Sequence, residues 1–337
     1  MDLKLEGKRA FVSGSTAGIG FAIAEALARE GASVIVNGRT EARVAEALKK
    51  LKDAGVRGKL EGVAADLGTA GGVERATGKF PDVDILVNNV GIFGVVPFEK
   101  ISDAEWLRIF EVNVMSGVRL SRHYLPGMMK RDWGRIVFIS SESAVQIPVE
   151  MIHYGMTKTA QVAVARGLAE TTKGTRVTVN SILAGPTASE GAGAFVREIA
   201  AEKKTDVATV EREFFRDARP TSLLNRFAST DEVAAMVAFV CSPLSSATNG
   251  AALRADGGVI QSILRAVANS TSIAAASIRG KHSQLAAPPF QRRVDAYFFE
   301  RGAKIRAVST RAVSTLEQGR TFEGCVLKVV LGSIPLV

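Results

Sequence analysis

Short runs of β-branched and apolar residues alternate with longer amphipathic stretches through most of this chain, and that rhythm restricts the fold more than any other feature. "RAFVSG" (9–14), "SVIVNG" (33–38), "VDILVNN" (83–89), "RIVFISS" (135–141) and "RVTVNSIL" (176–183) read as buried strands. "KLEGVAAD" (59–66) is a weaker candidate, and "AALRADGG" (251–258) can supply a last strand. Between them "GFAIAEALAREG" (20–31) and "TEARVAEALKKLKDAG" (40–55) carry helical periodicity, with Gly31 and Gly55 where helix-terminating glycines belong. Strand–helix alternation of this kind implies right-handed crossovers and an α/β, doubly wound, mostly parallel sheet with helices on both faces. Ligands then bind beyond the carboxyl ends of the strands.

The pattern breaks twice. From Thr187 to about Arg226 the strands stop and "FVREIAAEKKTDVATVEREFFRDARP" reads as amphipathic helix, an insertion (187–227) before a helix that starts near Thr230. It is either a lid over the carboxyl edge or a surface helical pair. Residues 1–265 are expected to form the dinucleotide-binding catalytic domain. Residues 266–337 carry no motif: a flexible tail, an interface arm and a non-native extension such as out-of-frame read-through all fit.

Charge is informative once it is divided. Residues 1–265 hold 33 Lys and Arg against 30 Asp and Glu, whereas 266–337 hold 10 against 4. The basic excess lies mostly in the tail and lacks the basic–aromatic interleaving of a nucleic-acid surface, so no nucleic-acid partner is expected. No apolar run is long enough to span a membrane, and "MDLKLEGKRAFVSGS" lacks the pattern of a signal peptide. Two cysteines, Cys241 and Cys325, and three scattered histidines offer neither a disulfide framework nor a metal cluster. A cytoplasmic, metal-free protein is the expectation.

The first strand runs into "SGSTAGIGFAIAEAL", where Gly14, Gly18 and Gly20 form a G-x-x-x-G-x-G turn. Glycines there let backbone approach a pyrophosphate, whose charge is favoured at a helix N-terminus. The second strand ends in Asn37-Gly38-Arg39, with no carboxylate for a ribose 2′-hydroxyl; Arg39 is placed to meet a 2′-phosphate, which favours NADP(H) over NAD(H). Farther on, Tyr154 and Lys158 are four apart on a predicted helix and project from one face. Ser141 closes the "RIVFISS" strand, at the carboxyl end where the ligand crevice is expected. A free tyrosine has a pKa of about 10, so only about one in a thousand is ionised at pH 7, and a neighbouring ammonium favours the phenolate.

In order and spacing these pieces resemble the short-chain dehydrogenase/reductase family. The resemblance rests on "SGSTAGIG", Asp66 in "ADL", "NNVG" (88–91), Asn113 in "VNVMSG", Ser141, "YGMTK" (154–158), "VNSILAGPT" and "ALRADGG", and covers residues 5–260. It implies a Rossmann-type fold and an NADP(H)-dependent interconversion of a carbonyl and a secondary alcohol, an oxoacyl reductase being one subclass. Tyr154 would be the acid–base group, Ser141 would hold the substrate oxygen, Lys158 would tune the tyrosine and hold the nicotinamide ribose, and Asn113 would hold a relay water. The cofactor contacts implied are Gly14, Ser15, Thr16, Gly18, Ile19, Gly20, Arg39, Asp66, Leu67, Asn89, Gly91, Tyr154, Lys158, Gly185, Pro186 and Thr187. A homo-oligomer, commonly a tetramer built through the helices that carry Asn113 and Tyr154, is also implied. Two departures stand out: Val90 replaces the usual alanine of "NNAG", and Ala184-Gly185-Pro186-Thr187 replaces the usual Pro-Gly.

Phe93, Ile147, Val149 and Met151 are candidate pocket residues for a partly apolar small-molecule carbonyl or alcohol substrate. Glu142 and Glu150 flank the loop, solvated or facing substrate; His153 points away from the site. A nucleotide-sugar epimerase or dehydratase shares the Tyr-x-x-x-Lys pair, but the wider glycine turn and the lack of a clear sugar domain disfavour it. A non-catalytic NADP(H)-binding sensor is the remaining alternative.

Overall fold

The computed structural model describes residues 2–263. The expectations for 266–337, and Cys325 with them, lie outside the described residues. The seven expected strands all form: β1 (Arg9–Val12), β2 (Ser33–Gly38), β3 (Leu60–Ala64), β4 (Ile85–Asn88), β5 (Gly134–Ser141), β6 (Val177–Ala184) and β7 (Ala252–Ala255). They make one parallel sheet in the order β3-β2-β1-β4-β5-β6-β7. The order reverses between β1 and β4, and a crevice opens at the carboxyl ends on either side of that point.

Period-two alternation divides the strand side chains between two cores. Ala10, Val12, Val34, Val36, Val137, Ile139 and Ile182 face one side, with α1 (Gly18–Arg29), α2 (Glu41–Asp53) and α9 (Thr230–Cys241) packed over them through Ile23, Leu27, Leu51, Val233 and Val237. Phe11, Ile35, Ile136, Phe138 and Val179 face the other, under α3 (Ala70–Lys79), α5 (Ser116–Lys130) and α6 (Ile152–Thr171), which contribute Val73, Leu120, Met128 and Ala165. Strands covered on both faces read as continuous apolar runs, which is why they were visible in the sequence.

Helix ends follow local chemistry. Gly31 and Gly55 take the left-handed conformation just past α1 and α2, at φ +88° and +67°. Thr40 caps α2, and Ser229 with Glu232 forms a capping box that starts α9 at Thr230. The short α4 (Asp103–Phe110) continues through a π-type turn, Glu111–Met115, into α5.

The 187–227 insertion is helical as expected, with α7 (Glu190–Lys203) and α8 (Val207–Glu213) followed by a π-type turn to Ala218. It carries a small core of its own, Val196, Ala200 and Val210 with Ile199 and Phe227 against them. At its neck Thr187 bridges Ala228 in parallel, through Ala188 N–H to Ala228 O at 2.8 Å and Ala228 N–H to Pro186 O at 2.9 Å. Among the described residues no helix is long and apolar enough to cross a membrane.

Candidate active site

The turn after β1 is fastened to the end of β4. Ser13 Oγ accepts the backbone N–H groups of Asn89 (2.8 Å) and Val90 (3.1 Å), while Asn89 Nδ2 donates to Ser13 O and Gly14 O, each at 3.0 Å. This closeness explains Gly20: a Cβ there would stand 2.4 Å from both Asn89 Nδ2 and Gly14 O. Helix α1 begins with no side-chain cap and no acidic residue in its first turn, so its N-terminal N–H groups remain available to an anion. A groove of about 450 Å³ lies beside it, lined by Gly14, Thr16, Gly18, Ile19, Gly20, Arg39, Asp66, Leu67, Asn89 and Gly91, all expected cofactor contacts. Val90 lines the groove too. Ser15 differs: it is fully buried, donating to Val12 O at 2.7 Å and accepting Asn37 N–H at 3.0 Å, so its side chain braces β1 against β2 beneath the groove.

The far end of the groove explains the missing carboxylate. Asn37 is turned inward, accepting Gly14 N–H at 3.0 Å and donating to Ala65 O at 3.1 Å. A side chain on Gly38 would meet Thr16 Cγ2 at 2.5 Å. Asn37 and Gly38 line the groove with Arg39, which is exposed and among the described residues makes no ion pair. Arg43, from the first turn of α2, lines the same groove and pairs with Glu190 at 3.5 Å; sequence reading missed it, although it lies four residues after Arg39.

The four expected catalytic residues converge at the carboxyl ends of β4 and β5. Tyr154 and Lys158 lie on α6, Ser141 ends β5, and Asn113 sits in the π-type turn between α4 and α5. Ser141, Tyr154 and Lys158 line one hollow with Asn89, Gly91, Gly185 and Thr187. Asn113 is buried: Oδ1 accepts Ile92 N–H at 2.7 Å, and Nδ2 donates to Ile92 O (2.9 Å) and Thr157 Oγ1 (3.0 Å). Its carbonyl accepts Gln161 Nε2 at 2.6 Å, while Gln161 Oε1 accepts Lys158 Nζ at 3.2 Å. The Gln161 side chain thus bridges Lys158 and the Asn113 carbonyl. Gln161 was missed, its one signal being the i,i+3 spacing from Lys158.

Lys158 Nζ also donates to Ile139 O at 2.9 Å, and burial pushes its pKa down to about 8, partly opposed by the Glu142 carboxylate. The expectation that Lys158 lowers the tyrosine pKa is not met in this arrangement. Burial, then the Glu142 charge, holds the Tyr154 phenol well above its ordinary value, while the Ser141 hydroxyl and the Arg219 guanidinium pull the other way. The ammonium lies 5.5 Å from the ring centroid with its hydrogen bonds committed to Ile139 and Gln161.

A second cleft of about 350 Å³ opens from Ser141 and Tyr154 under the insertion, with Phe93, Met151, Ile199, Val210, Phe214 and Phe227 on its walls and Gly185, Pro186 and Thr187 at its inner end. Gly185 packs where a Cβ would meet Asp256 O at 2.5 Å, which fixes the Ala-Gly-Pro-Thr turn against the chain after β7. Two of the four expected pocket residues line it. Ile147 instead packs over Gly155, and Val149 is 82% exposed. Glu142 is neither solvated nor free: it is 4% exposed, accepts the Ser141 hydroxyl, and takes Arg219 Nε at 3.0 Å. Glu150 stands 3.7 Å from the same guanidinium. His153 is buried edge-on against Trp106, with ring centroids 5.9 Å apart. Among the described residues no group of His, Cys, Asp or Glu is arranged to hold a metal ion.

Comparison with known proteins gives a consistent family. A model of the short chain dehydrogenase family matches residues 8–199. The uncharacterized oxidoreductase YvaG of Bacillus subtilis (strain 168) is 48% identical over 263 residues, covering 78% of this chain and 100% of its own. D-beta-hydroxybutyrate dehydrogenase of Cupriavidus necator is 34% identical over 258 residues, 75% of this chain and 98% of that protein. Among solved structures, L-sorbose reductase from Gluconobacter frateurii, complexed with NADPH and L-sorbose, superposes with a TM-score of 0.73 at 32% identity, over 78% of this chain and 100% of that one.

Proposed function

The chain belongs to the short-chain dehydrogenase family, and from that premise we propose that it is an NADP(H)-dependent reductase interconverting a carbonyl and a secondary alcohol with Tyr154 as the acid–base group. The observation that carries this reading is the meeting of groove and cleft at one point: Ser141, Tyr154 and Lys158 stand where the glycine-turn groove joins the apolar cleft. The residues fit a dinucleotide. The α1 N-terminus and the glycine turn suit a pyrophosphate, Asp66 and Leu67 line the middle of the groove, and Arg39 suits a 2′-phosphate.

When bound, the nicotinamide supplies a hydride to the carbonyl carbon or accepts one from the alcohol. Tyr154 gives the carbonyl oxygen its proton in reduction and removes it in oxidation. Its raised pKa keeps the phenol protonated at neutral pH, the form that reduction needs. Ser141 hydrogen-bonds the substrate oxygen. Lys158, held by hydrogen bonds to Ile139 O and Gln161 Oε1, would hold the nicotinamide ribose. L-sorbose and D-beta-hydroxybutyrate, named with two of the relatives, are small hydroxy compounds; the aromatic and aliphatic walls of this cleft favour a partly apolar member of that class. We further propose a homo-oligomer assembled through α5 and α6.

The test is NADPH oxidation with acetoacetate and L-sorbose as carbonyl probes, beside fluorescence titration with NADPH and NADH. Tyr154→Phe should bind NADPH with unchanged affinity and lose turnover by at least about a hundredfold. Substantial residual turnover would defeat the assignment of Tyr154.

A further inference from the structure

The mechanism leaves one buried carboxylate without a task. Glu142 follows Ser141 directly, is 4% exposed, and has both oxygens engaged: Oε2 accepts the Ser141 hydroxyl and Oε1 accepts Arg219 Nε at 3.0 Å. Arg219 is 9% exposed and comes from the distal end of the insertion, 77 residues along the chain. Such a buried pair is a poor device for stability alone, since desolvation consumes most of its Coulombic gain.

Donor counting shows what the pair does to Ser141. A hydroxyl has one hydrogen and two lone pairs, and an ionised carboxylate can only accept. The Ser141 hydrogen is therefore given to Glu142, and Ser143 N–H occupies one lone pair at 3.1 Å. What remains is a single acceptor site on the Tyr154 side. Donation to a substrate oxygen requires the hydroxyl to turn away from Glu142.

We propose that Glu142 is a positioning residue for the reaction, holding the Ser141 hydroxyl with one oxygen until a substrate oxygen turns it and anchoring Arg219 with the other, so that the end of the insertion and the acid–base pair respond to each other. The proposal rests on the reading of Tyr154 given above. Its consequence is that the two partners push the tyrosine in opposite directions, Glu142 toward the phenol and Arg219 toward the phenolate. The other charges facing this region are Lys158 on the tyrosine's own helix, Glu150 beside Arg219, and Lys203, Glu213 and Asp217 across the cleft, with Lys203 and Glu213 paired at 2.7 Å. None of these changes in the variants below.

The experiment is the pH dependence of kcat/KM for carbonyl reduction at saturating NADPH, with acetoacetate and L-sorbose as probes, in wild type, Glu142→Gln, Arg219→Met and the double variant. Reduction needs the phenol, so activity falls as pH rises through the tyrosine pKa. Removing the Glu142 charge should move that limb down, and removing Arg219 should move it up by less, because the carboxylate acts on the phenol more strongly than the guanidinium does. The double variant should fall between the two single variants. Opposed shifts are something that a merely structural pair would not produce, since misfolding lowers amplitude at every pH.

The ring-carbon NMR resonance of Tyr154, assigned by its loss in Tyr154→Phe, gives the same ordering without turnover. Coincident limbs and coincident NMR titrations in all four proteins would overturn the proposal. Should Glu142→Gln not fold, Arg219→Met and the double variant carry the test. Turnover surviving in Tyr154→Phe would instead defeat the functional reading, whereas unmoved limbs with an inactive Tyr154→Phe would defeat only the role of Glu142.

Discussion

Replacing Arg39 with alanine should separate the two nicotinamide dinucleotides. Arg39 is exposed and makes no ion pair among the described residues, so its loss leaves the fold intact and its effect is confined to the groove. A hydrogen bond between charged partners contributes about 1.5–3 kcal/mol, and solvent exposure places this contact at the lower end. Around 1.5 kcal/mol corresponds to roughly a tenfold weaker Kd. Arg43 lines the same groove but shares its charge with Glu190 at 3.5 Å, so it compensates only in part. Fluorescence titration should give an NADPH affinity about tenfold lower in Arg39→Ala and an NADH affinity within about twofold of wild type. Raising salt should narrow the NADPH gap, because the contact is solvent-screened. Equal losses for both cofactors, or no loss for either, would refute Arg39 as the 2′-phosphate contact.

Gly20→Val should abolish dinucleotide binding in the same titration, because even the first added carbon meets Asn89 Nδ2 and Gly14 O at 2.4 Å. Phe11→Ala removes a fully buried ring that packs 6.2 Å from Tyr124; it should cost about 3–5 kcal/mol and lower Tm by roughly 10 °C in calorimetry. Lys158 titrates at about 8 in the folded chain against 10.5 in its ordinary state, so the unfolded state binds more protons between those values. The ligand-free wild type should therefore gain up to about 3 kcal/mol relative to Lys158→Met as pH rises from about 8 to about 10 in denaturant titrations, and a flat difference would contradict the buried ammonium.

The sheet was legible because buried parallel strands concentrate Val and Ile into runs that need no partner to be recognised; even the weak candidate at 59–66 pairs along β2 as Leu60–Ala64. The glycine turn and the Ser-Tyr-Lys grouping were legible for a related reason: each is a local pattern at a strand end or along one helix face. Contacts between distant segments leave no such trace. Nothing near Glu142 announces Arg219, and Glu142 was left without an assignment. Val149 was misplaced because a loop has no periodicity to say which way a side chain turns. The direction of the tyrosine's shift was not legible because spacing puts Lys158 on the same face but says nothing of the burial and the Glu142 carboxylate that push the phenol up.

The parallel bridge between Thr187 and Ala228 has a consequence for how such a chain can change over time. The segment between those two residues starts and ends at that bridge, between β6 and α9, and brings its own apolar centre in Val196, Ala200 and Val210. Drift in that segment can reshape the walls of the cleft, but Ser189, Glu190 and Gly191 at its start line the glycine-turn groove and are held to it. A transplanted segment from a relative would need to preserve the neck, the hydrogen bonds of Thr221 and Leu224 to the chain after β7, and a cation able to meet Glu142. The outer wall of the cleft and the Ser-Tyr-Lys grouping are thereby carried by different stretches of the chain.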